Sequence, residues 1–148
     1  MKLKIGDKAP LLNQLDSDGN EVNSTKLLGS KIVLYFYPKD DTPGCTAQAC
    51  NLNDNLELLQ NKGYKVIGVS IDSNEKHTKF KKKYNLNFSL LSDSNLDLVN
   101  AYGVWVEKSM YGRTYMGTAR TTFLINEEGI ITDIIEKVDT KNHSNQIH

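Results

Sequence analysis

Cys45 and Cys50 are the residues of this chain best suited to redox chemistry, and they are its only cysteines. Both lie in the stretch DTPGCTAQAC, residues 41–50. Their C-x4-C spacing is two residues longer than the C-x-x-C pair of dithiol oxidoreductases, and one pair short of a zinc site. The use of this pair therefore has to be inferred from the structure predicted around it.

The residues before Cys45 predict the start of a helix. Thr42 is a residue type preferred at the N-cap, and Pro43 is tolerated at the first helical position. Cys45 then falls in the first turn, where a thiolate meets free backbone N–H groups and the positive end of the helix dipole. The sequence thus predicts a reactive thiolate at Cys45, on a helix that runs over 42–62 and ends at Gly63.

The two cysteines lie on different faces of this predicted helix. Cys45 belongs to a single apolar stripe, which faces the core and continues through Ala49, Leu52, Leu56 and Leu59. Cys50 lies about 140° around the helix from Cys45, with the two Cα atoms ~8.7 Å apart. A disulfide needs Cα atoms nearer than ~7 Å. The two residues can be helical or bonded, so a disulfide between them requires the first turns to unravel.

The elements that position the cysteines follow the pattern of an α/β protein. Continuous apolar runs predict buried strands at 31–37, 65–72, 88–93, 121–126 and 130–135, with helical stretches at 42–62, 74–84 and 95–102. Asp18-Gly19 indicates an additional N-terminal hairpin over 15–22. The order predicts a central mixed sheet flanked by helices, with parallel first strands and an antiparallel last pair. Cys45 then follows the carboxyl end of the first buried strand, where such sheets bind ligands.

Length and composition predict one domain over residues 1–148. Lys plus Arg and Asp plus Glu number 18 each, which gives no indication of a nucleic-acid or membrane partner. No apolar run of signal-peptide or membrane-spanning kind is found, so we expect a cytoplasmic protein, in which a cysteine pair is catalytic or redox-sensing. His77, His143 and His148 lack neighbouring ligands at metal-binding spacing. We expect all three at the surface, and no metal or organic cofactor.

The segment YFYPKDDTPGCTAQAC resembles the active-site segment of peroxiredoxins, whose motif P-x-x-x-[ST]-x-x-C is matched by Pro38, Thr42 and Cys45. The position of Cys50 resembles the Q-type, or bacterioferritin-comigratory-protein, subfamily. The resemblance covers nearly the whole chain and implies a thioredoxin-like fold. It extends through GDKAP (6–10), VIGVSID (66–72), LLSD (90–93), AYGVW (101–105) and MYGRTYMGTARTTFLIN (110–126).

The resemblance implies a role for each matched residue. Cys45 would be the peroxidatic cysteine that becomes a sulfenic acid, and Arg120 would stabilise its thiolate and orient the peroxide. Thr42 would bond thiolate and peroxide through its hydroxyl, and Pro38 would shield the thiolate from water. Cys50 would resolve the sulfenic acid as an intramolecular disulfide, which thioredoxin or a similar dithiol reduces. The residues alone also fit a surface Arg120, a Thr42 that only caps, a Pro38 that only ends a strand, and an inert Cys50.

The resulting hypothesis is a thiol-dependent peroxidase for hydrogen peroxide and organic hydroperoxides, with an antioxidant role. The resemblance leans towards a monomer, with a dimer through the active-site edge as the alternative. Two other classes remain open: a general dithiol–disulfide oxidoreductase, and a redox sensor or chaperone-like binding protein that uses the unravelling helix as a switch.

Two regions depart from the pattern or leave it open. The aromatic and Met-rich stretch from Trp105 to Met116 could line a pocket rim for alkyl hydroperoxides, or cover the edge of the sheet. The family usually closes with a C-terminal helix of several turns, whereas VDTKNHSNQIH predicts a short or absent helix. We therefore expect apolar sheet surface to be exposed there.

Overall fold

The computed structural model describes residues 2–148. Its strands are β1 (Asn13–Leu15), β2 (Glu21–Asn23), β3 (Lys31–Phe36), β4 (Tyr64–Ser70), β5 (Ser89–Ser92), β6 (Trp105–Met110), β7 (Arg113–Thr118), β8 (Thr121–Ile125) and β9 (Ile131–Ile135). The main sheet has the order β5-β4-β3-β8-β9. Strand β3 pairs in parallel with β4, which pairs in parallel with β5, whereas β3–β8 and β8–β9 are antiparallel. The predicted α/β class and mixed sheet are confirmed.

The helices are α1 (Ser24–Leu27), α2 (Pro43–Asp54), α3 (Leu56–Asn61), α4 (Asn74–Tyr84) and α5 (Asp97–Ala101), with a 3-10 helix at His143–Gln146. The prediction of one helix over 42–62 was wrong, because Asn55 separates α2 from α3 with φ −108° and ψ 15°. Its side-chain amide donates to the carbonyl of Asn51 over 2.8 Å. Such side-chain bonds to nearby backbone compete with the helical hydrogen-bond pattern. Within residues 2–148, no helix has the length and apolarity to cross a membrane.

Two apolar layers cover the two faces of the main sheet. Successive residues of β3 alternate between them, so that Tyr35 packs with α2, α3 and α4 while Phe36 packs on the face that carries α5. Residues Ile32 to Tyr37 are all buried, as expected for a central strand. The stripe predicted on the first long helix is confirmed, since its members are buried in the Tyr35 layer: Cys45, Ala49, Leu52, Leu56 and Leu59.

The sequence analysis missed the antiparallel hairpin formed by β6 and β7. Its turn is made by Tyr111 and Gly112, with φ values of 52° and 76°. Positive φ at both central residues is the signature of the tight turn whose twist matches that of the flanking strands. The hairpin forms a separate two-stranded sheet and leaves Met110, Tyr111, Tyr115 and Met116 exposed.

The expectation of surface histidines was wrong for two of the three. His77 and His143 are fully buried, and both ring nitrogens of each have a hydrogen-bonding partner. Only His148 is exposed. The short C-terminal helix is confirmed as a 3-10 turn, but Ile147 after it is buried and packs in the same layer as half-buried Ile135. The expected exposure of apolar sheet surface at this point is therefore not observed.

Candidate active site

Cys45 is the third residue of α2 and is only 1% exposed. As predicted, Thr42 occupies the N-cap position and Pro43 begins the helix. The Thr42 hydroxyl oxygen accepts no capping hydrogen bond from the helix, and the hydroxyl donates to the carbonyl of Lys39 over 2.9 Å. The Thr42 backbone carbonyl accepts the first hydrogen bond of the helix, from the amide of Thr46, at 2.8 Å. The hydroxyl thus fixes the preceding loop and retains its lone pairs for a further donor.

Arg120 reaches Cys45 from the segment between β7 and β8. Its Nη2 donates to Cys45 Sγ over 3.2 Å, and its Nη1 donates to Gln48 Oε1 over 2.6 Å. The planar guanidinium holds both contacts at once because its donors have a fixed fork geometry. The structure thereby brings together the two residues, Cys45 and Arg120, that sequence analysis placed in one site.

Gln48 was missed by the sequence analysis. It lies one turn after Cys45, is fully buried, and its Nε2 has no hydrogen-bonding partner within residues 2–148. The available signal was a polar residue three positions after the cysteine, on the inner side of a helix whose stripe is apolar. The sequence analysis also missed Tyr35 as a neighbour of the site. Its buried hydroxyl has no partner among the described residues. The pKa of Tyr35 is raised by burial and then by the nearby charge of Cys45.

The loop from Pro38 to Asp41 connects β3 to the site. Pro38 is half-buried, two residues after the end of β3. Asp40 is buried and its carboxylate meets the Tyr37 hydroxyl and His77 Nδ1, each at 2.5 Å. His77 Nε2 lies 3.0 Å from the carbonyl of Leu91, which can only accept, so that nitrogen carries a proton. The buried Asp40–His77 pair ties the loop to α4.

Asp41 gives the loop a second connection to α4. It has a left-handed backbone, with φ 59°, a conformation that is uncommon for a residue with a side chain. Its carboxylate accepts from Lys83 Nζ at 2.9 Å and from the Tyr84 hydroxyl at 2.7 Å. These two bonds, which lower the Asp41 pKa, hold the chain in this turn immediately before the helix that carries Cys45.

Cys50 is half-buried further along α2, and both cysteines are free thiols. Burial raises the pKa of the Cys50 thiol, and the negative charge of Asp54 one turn away raises it further. The intact α2 therefore holds the two thiols in the arrangement in which helix geometry excludes a disulfide.

Comparison with known proteins identifies the family. The model of the AhpC/TSA family matches residues 5–134. The chain belongs to this family. It is 46% identical over 143 residues to a putative peroxiredoxin Bcp of Coxiella burnetii, covering 97% of this chain and 95% of that protein. It is 47% identical over 143 residues to peroxiredoxin Bcp of Bacillus subtilis, covering 97% of this chain and 91% of that protein.

Solved structures give the same result. A cysteine-to-serine variant of PrxQ from Xylella fastidiosa has a TM-score of 0.92 and 33% identity, over 99% of this chain and 94% of that one. The bacterioferritin comigratory protein of Xanthomonas campestris, studied for its alkyl peroxide reduction activity, has a TM-score of 0.86 and 36% identity, over 92% and 87% of the two chains. The chain is thus a peroxiredoxin of the Bcp and PrxQ type, an oxidoreductase of the thiol-dependent peroxidase class. The predicted family and thioredoxin-like fold are confirmed.

Proposed function

We propose that Cys45 is the peroxidatic cysteine of this chain and that it reduces hydrogen peroxide and organic hydroperoxides. The observation that carries the proposal is the 3.2 Å contact between Arg120 Nη2 and Cys45 Sγ at the start of α2. A guanidinium and free helical N–H groups both stabilise a thiolate, which is the nucleophilic form of cysteine. The removal of peroxides gives the chain an antioxidant role.

In the first step the Cys45 thiolate attacks the terminal oxygen of the peroxide. The S–O bond forms as the O–O bond breaks, and the leaving alkoxide or hydroxide takes up a proton to give an alcohol or water. Arg120 stabilises the negative charge that moves onto the oxygens. The Thr42 hydroxyl, which donates to Lys39, accepts the hydrogen of the bound peroxide with a free lone pair. Pro38 limits the access of water to the thiolate.

In the second step Cys50 acts as the resolving cysteine. Its sulfur attacks that of the Cys45 sulfenic acid, the S–S bond forms, the S–O bond breaks, and water leaves. The helical arrangement of α2 keeps the sulfurs apart, so this step requires the segment between the cysteines to unravel. Thioredoxin or a similar dithiol then reduces the disulfide, so the cycle needs no metal or organic cofactor.

Further properties of the chain belong to the same proposal. We expect residues 1–148 to act as one domain, as a monomer and in the cytoplasm, where dithiol reductants keep thiols reduced. Analytical ultracentrifugation of the reduced and oxidised chain tests the oligomeric state, and a stable dimer in both forms would contradict a monomer.

The test is stopped-flow oxidation by hydrogen peroxide and by an alkyl hydroperoxide, followed by mass measurement. Wild type should consume one peroxide and form a disulfide between Cys45 and Cys50. Cys45→Ser should consume none, whereas Cys50→Ser should consume the first peroxide and accumulate the sulfenic acid. Peroxide turnover by Cys45→Ser would overturn the proposal. Reduction of insulin disulfides without peroxide consumption would favour a general dithiol–disulfide oxidoreductase.

A further inference from the structure

Lys108, in strand β6, has a side chain that extends along the hairpin towards the candidate active site. Its backbone pairs with Tyr115 of β7. The stem passes over Gly117, because a methyl group placed on Gly117 would lie 3.1 Å from Lys108 Cδ and 3.4 Å from Lys108 Cε. Gly117 comes after Tyr115 in β7 and before Arg120 in the chain. The Lys108 side chain therefore runs in the direction of Arg120.

The Lys108 ammonium is close enough to the site to interact with two of its charges. Burial and then the positive charge of Arg120 lower the pKa of Lys108, whereas the negative charge of Cys45 raises it. Lys108 is half-buried, although Glu107 beside it is exposed. The apolar stem thus lies against the hairpin, and the charged end of the side chain lies near Cys45 and Arg120.

No carboxylate neutralises these two cations. Within residues 2–148, neither Lys108 nor Arg120 forms an ion pair, and the side-chain hydrogen bonds of Arg120 go to Cys45 and Gln48. Glu107 projects from the opposite face of the hairpin, since successive residues of a strand alternate. When Cys45 is a thiolate, two positive charges therefore face one negative charge, and the site retains an excess positive charge.

We propose that Lys108 is a specificity-determining residue that selects hydroperoxides with a carboxylate a few bonds from the peroxide group. This inference rests on the proposed function of Cys45 and deepens it. A reacting peroxide has to lie beside Cys45 and Arg120, which are in contact, and the ammonium of Lys108 interacts with the same two residues. A carboxylate that reaches Lys108 from this position can be only a short distance from the reacting oxygens.

The bond changes are those of the first oxidation. The thiolate attacks the terminal oxygen, the S–O bond forms, the O–O bond breaks, and the leaving alkoxide takes up a proton to give a hydroxy acid in its carboxylate form. Lys108 acts before these changes, since it attracts the carboxylate and orients the peroxide for attack by Cys45. Attraction of this kind becomes weaker as the salt concentration rises.

The test compares two peroxides of similar size in stopped-flow oxidation of the reduced protein. One is neutral tert-butyl hydroperoxide, and the other is 3-hydroperoxy-3-methylbutanoate, which carries a carboxylate. The ratio of their rate constants, anionic over neutral, should be about two- to fivefold higher in wild type than in Lys108→Met, the range for a partly exposed ion pair. Methionine is also unbranched but carries no charge. A change that only disturbs the shape of the site would slow both peroxides and leave the ratio unchanged.

Arg113→Met is the matched control, because it removes a positive charge from an exposed position of the same hairpin and should keep the wild-type ratio. Lys108→Arg retains the charge and should retain the preference for the anionic peroxide. A rise from about 0.02 M to about 0.5 M NaCl should lower the ratio more in wild type than in Lys108→Met. Equal ratios in wild type and Lys108→Met would overturn the role of Lys108 alone. Failure of both peroxides to oxidise wild type would instead overturn the proposed function.

Discussion

Arg120 and Cys45 are 75 residues apart in the chain, yet Arg120 Nη2 donates to Cys45 Sγ over 3.2 Å. The contact joins α2, which follows β3, to the segment that precedes β8. Because β3 and β8 are antiparallel neighbours in the main sheet, the segment after β3 and the segment before β8 lie at the same edge of the sheet. The sheet register therefore determines that the guanidinium lies beside the thiol.

Replacement of Arg120 by Ala should slow the first oxidation of Cys45. A hydrogen bond to a charged group contributes about 1.5–3 kcal/mol, so we expect a rate roughly 10- to 150-fold lower in stopped-flow measurements with hydrogen peroxide. Arg113→Ala, at an exposed position of β7, serves as the control and should oxidise at the wild-type rate. Equal rates for Arg120→Ala and wild type would remove Arg120 from the mechanism.

Gln48 should act on the reaction through Arg120, since its Oε1 accepts from Arg120 Nη1 at 2.6 Å. The near-isosteric Gln48→Met removes this acceptor, and we expect the first oxidation to slow about three- to tenfold. In the Arg120→Ala background the same substitution should have little further effect. A double-mutant cycle measures this coupling, and strictly additive effects would show that Gln48 acts independently of Arg120.

His77→Ala should lower the free energy of unfolding by about 3–5 kcal/mol, because it leaves a cavity in the core and removes a hydrogen-bonding partner of the buried Asp40. The substitution leaves the buried Asp40 carboxylate without its contact to Nδ1, although the Tyr37 hydroxyl remains. Urea unfolding provides the measurement. His148→Ala, at an exposed histidine, should leave the stability unchanged, and a similar small effect at His77 would contradict the importance of the pair.

Acidic pH should weaken the attachment of the C-terminal residues around His143 to Thr122 of β8. Burial, and then the positive charge of Arg120, lower the pKa of His143 below its ordinary value of 6.5, whereas Gln146 and Asp139 act in the opposite direction. The folded state thus favours the neutral ring, so its stabilising contribution is complete above pH about 6.5 and is lost as the pH falls through the depressed pKa. Thermal unfolding should show a larger decrease in Tm from pH 7.5 to pH 5 for wild type than for His143→Gln. Equal decreases would contradict this.

In Cys45→Ser, alkylation of Cys50 by iodoacetamide should become faster as the pH rises above neutral, because burial and then the charge of Asp54 raise the pKa of the Cys50 thiol in the intact helix. Asp54→Asn removes the smaller contribution and should increase the alkylation rate at pH 7 by less than about threefold, since burial remains. Mass measurement of the alkylated protein over time determines the rate. Glu57→Gln, at an exposed acid of α3, is the charge-matched control, and an equal increase there would show that the effect is not specific to Asp54.

The features predicted well from sequence depend on local patterns. The buried run at 31–37 predicted β3, and Thr42-Pro43-Gly44 predicted where α2 begins. Features determined by distant partners were missed. A histidine on an α4 surface predicted to be polar gave no sign that Asp40 lies against it in the interior. Similarly, the Thr42 side chain is of the capping type, but its hydroxyl is oriented towards the carbonyl of Lys39, to which it donates.

The hairpin of β6 and β7 was missed for a different reason. Its side chains are largely exposed, so it lacks the apolar alternation by which a half-buried strand is recognised. Its turn depends on Tyr111 in a left-handed conformation, which favours glycine or asparagine rather than tyrosine. Cys45 and Thr42 were predicted from the helix start, and Arg120 from the family resemblance, whereas Gln48 was identified only by its contact with Arg120.

The break at Asn55 has a consequence for how this enzyme can change during evolution. Because α2 and α3 are separate helices, the opening of α2 leaves the buried side chains Leu56 and Leu59 of α3 packed in the core. On the proposed mechanism, a substitution that favours this opening tenfold costs the folded chain about 1.4 kcal/mol and leaves the packing of α3 intact. The loss of stability that accompanies a faster resolving step is thus limited to the segment that carries the cysteines.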